Sequence, residues 1–171
     1  MKHPLLLIIV TSLLLSGCTL LKSQNSINAN QNVPANNQPS PVEIKPTKNN
    51  LDLSDQQLKK VPEYVFSQTN LEELNLSNNQ LTGAIQAEIR QLQNLKVLNA
   101  SNNLMTGVPA EIGQLRNLQA LDLSNNQLTG LPYELGSLQN LKTLNISGND
   151  YSTLDLNIIV ENLPADVKII K

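Results

Sequence analysis

The sequence of 171 residues is poor in the residues that carry most side-chain chemistry. It contains one cysteine, Cys18, one histidine, His3, and no tryptophan, and aromatic residues make up only 2% of the chain. A single cysteine excludes an intramolecular disulfide, and one histidine leaves little material for His/Cys metal sites or Cys-His catalysis. The net charge of −2 with scattered Lys and Arg, together with so few aromatic rings, argues against nucleic-acid binding.

The first segment predicts export from the cytoplasm. A short positive start, Met1–His3, precedes an apolar run from Pro4 to Leu15. This run is short for a transmembrane helix, but it has the length of a signal-peptide core. The next residues complete the tetrapeptide Leu-Ser-Gly-Cys at positions 15–18, which resembles the lipobox of bacterial lipoprotein precursors.

This resemblance implies that residues 1–17 are a lipoprotein signal peptide and that Cys18 is the site of lipid attachment. Each buried methylene contributes about 0.8 kcal/mol, so two or three acyl chains on one residue anchor a protein stably in a membrane. By the same resemblance, Thr19 fits sorting to the outer membrane if the source has two membranes. We therefore expect a lipid anchor at the bacterial cell envelope; an ordinary secretory signal that contains a cysteine is the alternative.

Residues 18–50 are predicted to be the lipidated cysteine followed by a disordered tether. The segment is rich in Asn, Gln, Ser, Pro and Lys and has almost nothing to bury, so it cannot offset the entropy of folding. A flexible coil of this length spans roughly 30 Å. One alternative is open, because the weak alternation at 42–44 allows residues 42–50 to pair with the first repeat as a cap.

The rest of the chain repeats itself. The ten-residue motif that starts Asn-Leu and ends Asn-Asn or Gly-Asn begins at Asn70, Asn94, Asn117 and Asn140, a period of about 23 residues. A fixed period in this range marks a stacked-repeat architecture. Within each repeat a Leu-x-Leu core predicts a short strand, and Pro followed by Glu predicts the start of a short helix.

The full pattern, Leu-x-x-Leu-x-Leu-x-x-Asn-x-Leu, resembles the leucine-rich repeat family over about residues 51–170. The resemblance implies an α/β solenoid: an arc with a short-stranded parallel sheet on the concave side and short helices or turns on the convex side. We expect a degenerate first repeat at 51–69, full repeats at 70–151, and a C-terminal cap at 152–171.

The C-terminal cap is predicted to contain a short helix near Ser152–Asn162 and a last strand. An offset of 23 residues places Val167 and Ile169 opposite Leu144 and Ile146. The same offset matches Leu154 and Ile158 with two core positions, Leu131 and Leu135.

One asparagine per repeat follows the strand where the chain must turn. An Asn side chain bonds backbone groups that a turn leaves unpaired. We therefore predict a buried structural column formed by Asn79, Asn103, Asn126 and Asn149. Two departures from the pattern are notable: an extra residue in the first full repeat predicts a bulge on the convex side, and Ala100 replaces a core Leu, so that layer is either closer packed or underfilled.

The variable side chains between the repeated leucines form the candidate binding face. One row consists of Glu72, Lys96, Gln119 and Lys142, and the next of Glu73, Val97, Ala120 and Thr143. Two further rows of Asp or Asn and of Ser are monotonous, which favours turn chemistry. Because the face lacks aromatic residues, which dominate interface hot spots, we expect a weak or polar interaction, or a partner that contacts an edge or the convex side.

These features together predict a membrane-anchored, non-enzymatic module for protein–protein interaction. The prediction includes no cofactor, no metal, no nucleic-acid partner and a monomeric state, and it places no catalytic domain beyond the cap. An envelope scaffold or spacer without a dedicated ligand is the alternative. Less favoured are a carboxylate-based hydrolase of envelope polymers using Glu72 and Glu73, and a calcium site around Asn145 and Asp150, residues that fit the turn of the repeat better.

Overall fold

The computed structural model describes residues 49–171. The predictions for residues 1–48, namely the signal peptide, the lipid on Cys18, the tether and most of the possible N-terminal cap, lie outside the described residues. The strands in the described part are β1 (Asn50–Asp52), β2 (Glu73–Asn75), β3 (Thr82–Gly83), β4 (Val97–Asn99), β5 (Leu104–Met105), β6 (Ala120–Asp122), β7 (Thr143–Asn145) and β8 (Lys168–Ile170).

Six of the strands form one parallel sheet in the order β1-β2-β4-β6-β7-β8. Their central residues pair across the sheet in register and point toward the core: Leu51, Leu74, Leu98, Leu121, Leu144 and Ile169. The residues on either side of these alternate to the opposite face, as side chains of a strand must. We call that opposite face the concave face, and the predicted parallel sheet of short strands is confirmed.

The convex side carries four 3-10 helices of five residues each: Glu63–Ser67, Ala87–Gln91, Ala110–Gln114 and Tyr133–Ser137. Three of them follow a proline whose backbone is extended, and each has a glutamate in its first turn. Proline suits a helix start because it lacks the N–H that would be unpaired there. One residue in each helix, such as Ile89 or Ile112, is completely buried.

The core lies between the sheet and the 3-10 helices and consists almost entirely of Leu, Ile and Val. Positions predicted to point inward, including Ile112, Leu115, Leu135 and Leu138, have no exposed surface. Burying one such side chain contributes about 1.5–3 kcal/mol. Ala100 is also completely buried, so the core continues through this smaller residue.

The extra residue of the first full repeat lies between Gly83 and the 3-10 helix that begins at Ala87, where Ala84-Ile85-Gln86 stands in place of Val108-Pro109. Gly83 has a φ of 67°, a left-handed conformation that glycine adopts without steric cost. Its strand, β3, pairs with β5 of the next repeat and forms a second, two-stranded parallel sheet. The longer connection then delivers Ile85 into the core.

The C-terminal cap contains the predicted helix, α1 (Thr153–Asn162), which is an α-helix and not a 3-10 helix. The hydroxyl of Ser152 accepts a hydrogen bond from the backbone N–H of Asp155, at 3.4 Å, and so caps the helix. A serine cap satisfies one of the N–H groups that a helix leaves unpaired at its start.

The predicted match of Leu154 and Ile158 with core positions is wrong. Leu154 is 73% exposed and Ile158 is 43% exposed, while Leu156 and Ile159 are buried in their place. The cause is the type of helix. Successive residues rotate by about 100° in an α-helix of 3.6 residues per turn and by about 120° in a 3-10 helix. Positions transferred by a fixed offset therefore fall on a different face.

The predicted register of the last strand is also wrong. Leu144 pairs with Ile169, 25 positions later, and Asn145 pairs with Ile170. The ten-residue helix α1 replaces the five-residue 3-10 helices of the other repeats, and the longer path moves the strand along by two residues. Val167 therefore precedes the strand, and Ile170 takes a position on the concave face.

Candidate functional site

Asn79, Asn103, Asn126 and Asn149, the inner asparagine column, bind the backbone at the turn after each strand. The Nδ2 group of Asn103 donates to the carbonyl oxygens of Leu76, Ala100 and Ser101 at 3.0–3.2 Å. Its Oδ1 accepts from the N–H of Leu81 at 3.0 Å. Asn79, Asn103 and Asn126 are buried, and Asn149 is half-buried. Each column member therefore joins its own turn to that of the preceding repeat.

The residue before each column member has an unusual backbone. Asn78, Asn102 and Asn125 have φ between 52° and 55°, and Gly148 has a φ of 68° at the same point of the last turn. Asparagine and glycine tolerate this left-handed region better than other residues. The sequence prediction missed this role, although the repeated Asn-Asn pair followed by Gly-Asn was a usable signal.

A second set of asparagines, Asn94, Asn117 and Asn140, forms what we call the outer asparagine column. Each donates from Nδ2 to one backbone carbonyl of the preceding repeat, those of Thr69, Gln93 and Arg116, at 2.8–2.9 Å. All three side chains are exposed. These residues open the repeated motif in the sequence, and the motif alone did not predict a role for them.

The Asp/Asn row and the Ser row of the concave face interact with each other. Asp122 Oδ1 accepts hydrogen bonds from the N–H and the hydroxyl of Ser124, at 2.9 and 2.6 Å. Asp52 and Asn99 make the same two bonds with the serines that follow them. The bond from the backbone N–H of Ser54 is the main cause that lowers the pKa of Asp52. These rows thus use much of their hydrogen-bonding capacity internally.

Two of the four residues in the first candidate row form an ion pair with each other. Lys96 Nζ lies 2.8 Å from Glu72 Oε2, so the two charges compensate each other. Pairs this exposed contribute about 0–1 kcal/mol to stability. Gln119 is half-buried, and Lys142 at the end of the row is exposed. Within residues 49–171 Lys142 makes no ion pair.

The second candidate row forms the floor of the concave face. Glu73, Val97, Ala120 and Thr143 lie side by side in the sheet register and are half-buried. A shallow depression runs over Val97, Ala120 and Thr143 and reaches Ile170. The structure therefore brings the four residues of the second row onto one surface, with small side chains along its middle, and each residue of the first row directly precedes one of them in the chain.

The described residues present little else for chemistry. Residues 49–171 contain no group of three or more His, Cys, Asp or Glu side chains arranged to hold a metal ion. No helix in this part of the chain is long and apolar enough to cross a membrane. Glu72, a candidate for carboxylate catalysis, is engaged by Lys96.

Comparison with known proteins points to one family. The sequence model described as "Leucine rich repeat" matches residues 49–105 and 93–151. Together these matches cover more than half of the chain. No curated protein matches the sequence.

Solved structures give the same result. A leucine-rich repeat protein of Leptospira interrogans is 40% identical, with a TM-score of 0.63; the match covers 67% of this chain and 29% of that one. A chain of the BIR3–SERK2 complex from Arabidopsis thaliana is 37% identical, with a TM-score of 0.55; the match covers 60% of this chain and 56% of that one. The plant peptide hormone receptor RGFR1, solved in complex with RGF2, is 35% identical, with a TM-score of 0.57; the match covers 70% of this chain and 21% of that one. The chain thus spans less than a third of the Leptospira structure.

Proposed function

Because this chain belongs to the leucine-rich repeat family, we propose that it is a membrane-anchored, non-enzymatic module that binds a protein partner at the bacterial cell envelope. Proteins of this family generally mediate protein–protein interaction. The concave face is the binding surface in this proposal. Its key support is the continuous row of partly exposed, repeat-specific side chains from Glu73 to Thr143.

The location of the module rests on the sequence. The Leu-Ser-Gly-Cys tetrapeptide follows a charged start and an apolar run, as in a lipoprotein precursor. The 23-residue repeats come after this segment in the chain. In this proposal Cys18 carries the lipid, and residues 19–48 act as a spacer between the lipid and the repeats, because Asn49 and Asn50 already bond to the first repeat sheet. If the source has two membranes, we place the protein in the outer one.

Anchoring is tested by replacing Cys18 with Ser in the full chain. We expect the wild type to incorporate a labelled fatty acid and to sediment with membranes. The Cys18→Ser protein should lose the label and leave the membrane fraction. Labelling that persists in the variant would contradict lipid attachment at Cys18.

Partner binding is supported by the relatives whose structures are complexes. SERK2 is paired with BIR3, and RGFR1 with RGF2. On the concave face of this chain, the side chains of the Asp/Asn row and the Ser row bond to each other. The two candidate rows differ from repeat to repeat and are therefore the better surface for a partner. A polar, adaptable contact fits these rows better than an aromatic anchor, which the face lacks.

A photo-crosslinking residue placed at Gln119 of the full chain tests the concave face in intact cells. The matched control carries the same residue at Tyr133, which is 57% exposed on a convex 3-10 helix. We expect a discrete protein adduct from position 119 and none of the same mass from 133. The absence of any adduct, with altered envelope integrity in a deletion strain, would favour the scaffold alternative.

A further inference from the structure

The charges of the concave face are unevenly compensated along the arc. Toward its N-terminal end, Lys96 pairs with Glu72, and Asp52 adds negative charge. Toward its C-terminal end the basic residues are Lys142 and Lys168. The lysine of the N-terminal part is thus paired, whereas within residues 49–171 the two lysines of the C-terminal part make no ion pair.

Lys142 and Lys168 are direct neighbours in space. The backbone N–H of Lys168 donates to the carbonyl of Lys142 at 2.9 Å, and Lys168 occupies the register position beside Thr143. Both side chains are exposed, and within residues 49–171 neither makes an ion pair. Two adjacent like charges at one end of a surface attract an anionic group.

The acidic residue closest to this pair in the register is Asp122, and its carboxylate is already engaged. Oδ1 accepts two bonds from Ser124, and Oδ2 accepts a bond from the Asn145 amide at 3.0 Å. Asp122 is therefore held toward its own turn and its neighbour in the sheet. Asp166, exposed two positions before Lys168, makes no ion pair with either lysine within residues 49–171. The positive charges of the two lysines are therefore available to an external negative group.

The surface next to the lysines suits a polypeptide backbone. Val97, Ala120 and Thr143 have small side chains, and Ile170 adds an apolar contact where the other strands carry Asp or Asn. Ile170 reaches this position only because of the two-residue shift of the last strand. Six strands about 4.8 Å apart give a floor roughly 24 Å long, which matches about seven residues of extended peptide.

We propose that the concave face receives an extended peptide segment whose acidic residues lie over Lys142 and Lys168. Small aliphatic side chains of the segment lie over Val97 and Ala120. This inference rests on the proposed function, since it specifies the chemistry of the protein partner. The concave face should therefore bind an acidic segment with few aromatic residues better than a basic or aromatic segment.

The test measures peptide binding to the full chain in detergent by fluorescence polarisation. The probe is an eight-residue peptide of alternating Val and Ala with two aspartates at one end, and its control has two lysines in their place. We expect the acidic probe to bind and the basic probe not to bind. Because the contact is electrostatic, its affinity should fall as salt rises.

Two double variants locate the contact. K142E/K168E reverses the proposed contact, while K59E/K60E reverses two exposed lysines of the connection between β1 and the first 3-10 helix, off the concave face. Both have the same net charge. We expect affinity for the acidic probe to fall about tenfold or more in K142E/K168E, as loss of two charge contacts predicts, and to stay unchanged in K59E/K60E.

Equal losses in both variants, or equal binding of both probes, would overturn the inference. So would preferential binding to phosphatidylglycerol vesicles over the acidic probe, because the site would then be one for a lipid surface. The crosslink at Gln119 distinguishes a failure of the acidic-segment inference from a failure of the proposed binding function. If it persists in K142E/K168E, the partner binds the concave face without an acidic segment at this end; if no Gln119 adduct forms in the wild type, the concave binding module itself is wrong.

Discussion

The inner and outer asparagine columns use the same side chain at the same interval, yet they differ in environment. Asn103 makes four hydrogen bonds at 3.0–3.2 Å and is buried. Asn117 makes one bond, of 2.8 Å, and is exposed. Both join one repeat to the preceding one.

The difference shows that strict recurrence in a sequence does not measure energetic contribution. A buried backbone group that loses its partner keeps the full cost of desolvation, whereas an exposed group regains water. The inner column therefore carries stability, and the outer column mainly orders a surface edge.

The largest effect is expected for Asn103→Ala. The substitution leaves the N–H of Leu81 without its buried partner, at a cost of about 1–3 kcal/mol. Urea denaturation of the full chain, followed by circular dichroism, measures the loss. If the denaturation curves of variant and wild type coincided, the stabilising role of the inner column would be refuted.

A smaller loss is expected at the left-handed position that precedes the column. Asn102→Ala keeps the inner column but places a less tolerant residue at a φ of 53°, which should cost about 1 kcal/mol. The matched control is Asn102→Gly, which removes the steric cost and should be close to wild type. A Gly variant as unstable as the Ala variant would point to the side-chain contact with Asn125 instead.

The outer column should respond least among the asparagines. Asn117→Ala removes one exposed bond to the carbonyl of Gln93, and surface changes of this kind stay within about 0.5 kcal/mol. Measured in the same urea series as Asn103→Ala, it tests the contrast directly. A loss equal to that of Asn103→Ala would mean that burial does not separate the columns.

The smallest effect concerns pH and the first turn. The hydrogen bond from the Ser54 N–H lowers the pKa of Asp52 in the folded protein, so ionised Asp52 favours the folded state. This contribution is present above the unfolded pKa of about 3.9 and is lost as pH falls through the lower folded value.

NMR titration of the Asp52 side-chain carboxyl should therefore give a midpoint below that of an unfolded reference peptide. In the Ser54→Ala variant the midpoint should move up only partly, because the Ser54 N–H remains while the hydroxyl bond is lost. A midpoint that does not differ from the peptide would exclude the folded-state hydrogen bond.

The sequence predicted the family fold because the evidence for it recurs in every repeat. Leu at five of the six strand centres, Pro before three of the four 3-10 helices and Asn at the turns reinforce one another, so an exception in one repeat does not change the result. The concave rows followed directly from the alternation of strand residues.

The C-terminal cap was predicted less well because there the period no longer holds. A fixed offset could place a helix at Thr153–Asn162, but it could not indicate that the helix would be α. Ser152 as a helix cap was the available signal. The outer column was missed for another reason: recurrence alone does not distinguish an exposed asparagine from a buried one.

The inner column also gives the molecule a direction. Asn103 holds the N–H of Leu81, Asn126 that of Met105, and Asn149 that of Leu128, each in the repeat on the N-terminal side. A defect introduced at one asparagine therefore loosens the neighbour toward the N-terminus and leaves the bond on the C-terminal side intact. In hydrogen-exchange terms, damage at Asn103 should expose the amide of Leu81 while the amide of Met105 stays protected, so local opening spreads along the arc in one sense.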